Sequence, residues 1–359
     1  MFPRNPNYVK KKIAVIACSN GLGHIRRLIL IITFMLKNDF NHELDFFCSK
    51  EKLKVLKDWD ETSFLLNSNV NIKEFEYPNN QSISNEKLID KNWFEIDLPD
   101  LSSYDMVWTD NISQVLEVRD DAILSGSFFW HEVLEKYDDN KQISSFVNSQ
   151  RKLIDKVNPF MVGNEYFATN EVRSLKNFIP VGLYKFSSEI FYKNSNNILL
   201  SCGLGGEEED LADDAVSQII SMNIKPPGKL FVEPKILPKI YPSWMEPANF
   251  SMEMFNSCLA VCIRPGLGTV SDALVSQNKI FCFSKPNSFE MNNNIKILEE
   301  MGMGERCKGP LEAYKKAIKY LSNKEDIKKQ LLNSIHLRTD GVFATARFIM
   351  NRINNRMTQ

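Results

Sequence analysis

The sequence lacks an excess of charge of either sign. Lys and Arg number 44 against 45 Asp and Glu, a formal net charge of −1, so no electrostatic footprint for DNA or RNA is expected and no nucleic-acid partner with it. It also lacks a hydrophobic run long enough for a membrane. Leu28 to Leu36 comes nearest with nine residues, bracketed by Arg26, Arg27 and Lys37, against the ~20 that a spanning helix needs. A core helix buried all round is expected there. Histidines number four and cysteines seven, an odd count without zinc-like pairs, which fits free thiols in a reducing compartment. Cys258 and Cys262 have no companion pair and no nearby His, so no metal is expected, nor any other cofactor. Met1 to Asn7 is polar, and Lys10-Lys11-Lys12 leads into only six apolar-leaning residues, which does not read as a signal peptide. Short repeats and low-complexity tracts are absent too. The expected setting is cytoplasmic, with any membrane contact peripheral and at the inner face.

What the sequence does have is size and a recurring pattern. With 359 residues, 43% hydrophobic and 25% charged, the chain has the composition of a folded protein of two or three domains. Ile13 to Cys18 is a short apolar run that stops at Ser19-Asn20-Gly21, and helical periodicity follows from about His24 to Lys37. A buried strand, a glycine turn and a helix open a parallel α/β unit. Further strands are expected at Leu44 to Cys48, Met106 to Thr109, Ala122 to Leu124, Met161-Val162 and Phe178-Ile179. The opening then repeats: Ile198 to Cys202, the turn Gly203-Leu204-Gly205-Gly206, and a helix begun by the acids Glu207 to Asp210. Leu230 to Val232, Ala260 to Ile263 and Ile280 to Phe283 read as its later strands. This predicts an α/β protein of two Rossmann-like, doubly wound domains facing each other across a cleft. The domains are residues 1–186 and 198–339, joined by a polar linker at 187–197. A last amphipathic helix within 340–359 has a choice of either half to pack on.

Gly-Leu-Gly occurs three times, at Gly21 to Gly23, Gly203 to Gly205 and Gly266 to Gly268, each just after an apolar strand. Such turns let backbone N–H groups approach a ligand, and a following helix N-terminus favours negative charge. Any one of them could be a tight turn and nothing more; three at the same topological place point to a phosphate-bearing ligand. A dinucleotide fingerprint fits the first poorly. Arg26 stands where the third glycine belongs, although Glu43 and Asp45 lie where a ribose-binding acid would. His24, directly after the first turn, sits where open α/β sheets bind ligands, and a helix N-terminus disfavours imidazolium, which suits a base.

The run Ser19-Asn20-Gly21-Leu22-Gly23-His24-Ile25 resembles the opening turn of nucleotide-sugar glycosyltransferases of the GT-B fold. Cys262 to Asn294 resembles the nucleotide-binding signature of the UDP-glycosyltransferase and peptidoglycan N-acetylglucosaminyltransferase group. The resemblance spans nearly the whole chain and is more specific in its C-terminal half. It implies Arg264 near a diphosphate, Gly266, Gly268 and Thr269 around the phosphates, and Asp272 on the ribose hydroxyls. It further implies Glu290 and Asn294 on the donor sugar, and Gly203, Gly205 and Gly206 facing the diphosphate. Asp272 is one methylene shorter than the Glu usual there, and Met291 follows Glu290 where the group has Gln. A UDP-sugar is the expected donor, with nucleotide and sugar left open by these two departures.

The function this implies is metal-independent, inverting transfer of a sugar from a nucleoside-diphosphate sugar to an acceptor hydroxyl. The acceptor is a glycan, a lipid-linked molecule or a small molecule. His24 would be the base. Asp110, at the end of a neighbouring strand, would hold its far nitrogen or else only cap the next helix with Asn111. Gly21, Gly23, Phe129 and His131 would lie on the acceptor side, the aromatic stretch Phe128-Phe129-Trp130-His131 being either a pocket lining or a buried strand end. A GT-B nucleotide-sugar hydrolase or epimerase, or a non-catalytic nucleotide-sugar-binding subunit, are the alternatives. Asp58-Trp59-Asp60 spells a metal-binding Asp-x-Asp but lies in a charged segment with no strand before it, which reads as a solvated face.

Overall fold

The computed structural model describes residues 9–38, 40–57, 59–76, 96–135, 141–185, 196–203, 209–286, 288–323, 325 and 337–355. The chain divides into two compact units, Met1–Val181 with Asp340–Gln359, and Gly182–Thr339. In the first, seven parallel strands are β1 (Lys12–Ala17), β2 (Glu43–Cys48), β3 (Val70–Glu74), β4 (Met106–Asp110), β5 (Ile123–Ser125), β6 (Met161–Asn164) and β7 (Phe178–Val181). They lie in the order β3-β2-β1-β4-β5-β6-β7. In the second unit, β8 (Asn197–Ser201), β9 (Leu230–Val232), β10 (Met245–Pro247), β11 (Cys258–Ile263), β12 (Lys279–Cys282) and β13 (Gly304–Arg306) form a parallel sheet. Its order is β10-β9-β8-β11-β12-β13. Each sheet thus reverses direction next to its first strand, at β1/β4 and at β8/β11. In open parallel sheets that reversal splays the following loops apart, and ligands bind there, beyond the carboxyl ends of the strands.

The central strands are the apolar runs of the sequence, buried on both faces as helix-covered parallel strands must be. Three edge strands, β3, β10 and β13, had no apolar signature to betray them. Val70–Glu74 is half exposed and carries Asn71, Lys73 and Glu74, as polar edges that resist pairing do. The helix Leu22–Lys37 is buried from His24 through Met35 apart from Arg26 and Phe34, which are half-buried. That is the all-round burial expected of its apolar run. Among the described residues no helix is long and apolar enough to cross a membrane.

The helix Gly341–Asn355 belongs to the first unit. Phe343 packs edge-on against Phe34 of the first helix, 5.9 Å between ring centres, and Arg352 lies 4.3 Å from the ring centre of Phe160. The division between units falls after Val181, earlier than the 186 expected from polarity, because the Leu183 N–H donates to the Arg338 carbonyl at 2.8 Å and ties this strand of chain to the second unit. Asn197, expected as the linker's last residue, opens β8.

Candidate active site

At the β1/β4 reversal, Ala17 is the register partner of Asp110. Gly21 takes φ 84°, which only glycine adopts freely, and so turns the chain from β1 into the first helix. His24 enters in the first turn of that helix, 8% exposed, and its Nδ1 lies 2.9 Å from Oδ1 of Asp110, which is 0% exposed. The two residues singled out 86 positions apart are in contact. Arg27 completes the group. Its Nε donates to Asp110 Oδ2 at 2.8 Å and its Nη2 to Oδ1 at 2.6 Å, a two-point fork, while Nη2 also sits 3.4 Å from His24 Nδ1. One ring nitrogen cannot donate to the carboxylate and accept from the guanidinium at once. The shorter contact is the hydrogen bond, so Nδ1 carries a proton, and in the neutral form of the ring the lone pair is on Nε2. Burial pushes the Asp110 carboxyl up, but the Arg27 charge and the His24 contacts outweigh it and hold it below its ordinary value.

Two aromatic rings close over the imidazole: Phe128 and Trp130 each lie 6.5 Å from it, centre to centre. All four residues of the run Phe128 to His131 are buried, and Phe129 and His131, expected on the acceptor side, pair with each other instead of with His24. His131 stacks on Phe129 at 5.3 Å and its Nε2 meets Glu171 Oε1 at 2.5 Å, and both residues are buried. The four residues alternate, two toward His24 and two away. Beside them Glu132 is half-buried, accepting from the Phe129 N–H at 2.7 Å and the Thr169 hydroxyl at 2.9 Å. Burial, against those bonds, pushes its carboxyl up to about 7.

At the β8/β11 reversal, the two strands end side by side, Ile263 pairing with Ser201. Arg264 donates its N–H to the Ser201 carbonyl at 3.2 Å, and Gly266, which precedes the helix Leu267–Val275, has open space where a side chain would stand. Gly268 and Thr269 follow within the first turn. Asn294, on the helix Phe289–Glu300, donates to the Pro265 carbonyl at 2.9 Å and so clamps this turn. Glu290 is half-buried in the first turn of the same helix. Asp272 is 4% exposed, not a solvated residue, and its Oδ1 lies 3.9 Å from the Nζ of the equally buried Lys185.

Gly205 and Gly206 lie outside the described residues, but Gly203 is corrected. Its N–H, expected to face a diphosphate, donates to Glu233 Oε2 at 3.1 Å and to Ser201 Oγ at 3.2 Å. Glu233, itself fully buried, also accepts from the Ser201 hydroxyl and the Cys202 N–H, at 2.7 and 3.0 Å. An internal carboxylate fills the donor nest that a phosphate would use. Asp45 is likewise no ribose acid: it lies within β2 and accepts from Tyr104 and Asn71 at 2.6 and 2.8 Å. Arg26 lies 4.3 Å from the ring centre of Trp59. Asp60 opens a helix, and Asp58 lies outside the described residues.

Arg27, Lys185 and Glu233 were missed by sequence reasoning. Only Arg27 carried a signal, its spacing of three from His24, which puts both on one helical face. All seven cysteines are buried and none forms a disulfide, and among the described residues no three His, Cys, Asp or Glu side chains group as metal ligands.

No protein-family model matches this sequence, and no curated protein matches it. Solved structures resemble it in fold. The glycosyltransferase of kitacinnamycin matches over 96% of this chain and 100% of its own, with a TM-score of 0.65 at 10% identity. CalG4, the calicheamicin glycosyltransferase, matches over 98% and 100%, with a TM-score of 0.63 at 11% identity. LpCGTa, solved in complex with UDP, matches over 96% and 99%, with a TM-score of 0.61 at 10% identity. The chain has the GT-B fold.

Proposed function

We propose that the protein is an inverting, metal-independent glycosyltransferase that moves a sugar from a nucleoside-diphosphate sugar, a UDP-sugar in the first instance, to an acceptor hydroxyl. The observation that carries the reading is the buried His24–Asp110 pair at the strand reversal of a GT-B chain. Nε2 of His24 takes the acceptor proton as the acceptor oxygen attacks the anomeric carbon. The bond from that carbon to the diphosphate oxygen breaks with its electron pair on the leaving group. Asp110 holds the ring in the tautomer that leaves Nε2 free and steadies the imidazolium that forms.

The leaving charge is met by Arg264 and by the N-terminus of the helix Leu267–Val275, where Gly266 leaves room for phosphate oxygens and Gly268 and Thr269 supply donors. Asp272 takes the ribose hydroxyls. Glu290 is half-buried and has no hydrogen-bond partner among the described residues, which leaves its carboxylate to the donor sugar; Asn294 acts by holding the turn at Pro265. UDP is favoured as the nucleotide because LpCGTa, similar in fold, was solved with it. On the acceptor side, Gly21 and Gly23 shape the mouth below His24, and Phe128 and Trp130 replace Phe129 and His131 as the apolar wall.

The test has two stages. UDP, GDP, TDP, CDP and ADP are compared by thermal shift; the preferred one stabilises by ~2.7 kcal/mol at 100 times its dissociation constant. UDP-sugar consumption is then followed with and without glycan, lipid-linked and small-molecule acceptors. Acceptor-dependent release of UDP is expected. Release of free sugar alone would make the chain a hydrolase, and no shift with any nucleotide would sink the reading.

A further inference from the structure

We propose that Arg27 is a positioning residue of this site: it fixes the Asp110 carboxylate by its fork, and its cation beside His24 sets the pH range in which that ring stays free to act as a base. The inference rests on reading His24 as the base. Asp110 is fully buried on β4, and its side-chain oxygens are held by His24 and Arg27. The fork occupies both carboxylate oxygens, at 2.8 and 2.6 Å. His24 therefore shares Oδ1 with a guanidinium rather than having the carboxylate to itself.

The charges make the consequence definite. With a neutral ring, Arg27 and Asp110 sum to zero, and protonating His24 leaves a buried net positive charge. A His–Asp pair alone would instead pass from a net negative charge to zero. Arg27 thus holds Asp110 ionised and oriented while making imidazolium harder to form. The other groups facing this cluster do not reverse the sign. Cys18, at the end of β1, is a buried thiol pushed up to about 12, by burial first and the Asp110 charge after it, so it stays neutral. Lys52 acts on Cys18 and adds positive charge. Phe128 and Trp130 bring rings without charge.

The measurement is an NMR titration of the His24 ring in the full chain. With four histidines in the sequence, its signals are identified by their loss in His24→Ala. In Arg27→Met the titration midpoint should move up by about one to two pH units. Arg27→Lys, which keeps the charge and loses the fork, should lie between it and the wild type. Asp110→Asn should move the midpoint the opposite way, which a merely structural role for either residue would not do. Unchanged midpoints in folded Arg27→Met would overturn the inference. If Arg27→Met does not fold, Arg27→Lys at the wild-type midpoint would do so. The titration needs no substrate, so failure of the glycosyl-transfer reading shows separately, as absent UDP-sugar turnover with the midpoint shifts intact.

Discussion

The two units share a strand order and build their sites by opposite means. In the first, the carboxyl ends of β1 and β4 present side chains: an imidazole, a carboxylate and a guanidinium, all buried and mutually bonded. In the second, the ends of β8 and β11 present backbone: Gly203, Gly266, a helix N-terminus and the Pro265 carbonyl held by Asn294. Glu233, which is fully buried there, is spent on shaping the turn itself, while the buried Asp272 faces Lys185. A site made of side chains can hold and move a proton. A site made of backbone donors can bind charge without titrating. The division matches a reaction in which one substrate must lose a proton and the other must leave as an anion.

The largest test of this contrast is His24→Ala. Turnover at saturating donor should fall ~10²–10⁴-fold, while the UDP-induced thermal shift stays as in the wild type. Asp110→Asn should cost less, and the double variant should be barely worse than His24→Ala, because residues acting as one unit are not additive. Additive losses would separate Asp110 from the base.

Stability against pH comes next, and it should single out the first unit. Glu132, with its carboxyl pushed up to about 7, binds its proton more tightly folded than unfolded. Its contribution is complete below the ordinary carboxylate range and is lost as pH rises toward 7. Between pH 5 and 8 this amounts to a loss on the order of 3 kcal/mol. Glu132→Gln should flatten thermal unfolding over that window. A wild-type curve already flat there would remove Glu132 as an acid with a raised carboxyl.

How much of this was readable beforehand follows the same division. The central strands and the His24–Asp110 contact were legible, because buried parallel strands are apolar runs and their carboxyl ends follow from the runs. Edge strands such as Val70–Glu74 were not, since one neighbour and a solvated face leave no apolar signature. Side chains that act at a distance in sequence were not legible either. Lys185 reaches Asp272, and Glu233 reaches Gly203, through the packing of the second unit. Phe129 and His131 misled because an aromatic run reads the same whichever of its alternate members face a pocket.

A smaller effect is expected for Asp272→Asn. It keeps the shape of a residue buried against Lys185 but removes the charge that would hold ribose hydroxyls. The thermal shift with UDP at a concentration that gives ~2.7 kcal/mol in the wild type should largely disappear. A full shift would place the ribose elsewhere and leave Asp272 as the partner of Lys185.

The smallest effect is expected from a chelator, and it tests the second site's reliance on backbone. When the diphosphate leaves, its charge must be balanced within the site at the moment of bond breaking. Arg264 is a permanent cation that needs no proton exchange, and it sits directly before the Gly266 turn. The helix Leu267–Val275 begins with Gly266 at its cap, has no side-chain cap, and a side chain at Gly266 would meet open space; a helix N-terminus of this kind favours negative charge. In the proposed reaction they would provide the stabilisation that a divalent cation could otherwise supply, so EDTA should change the rate by no more than about twofold. Activity that vanished with EDTA and returned with Mn²⁺ would break the comparison at its base. It would send attention to Asp58-Trp59-Asp60, whose Asp60 opens a helix of the first unit. Charge on the leaving group would then be managed by carboxylates and a metal, not by the backbone of the second.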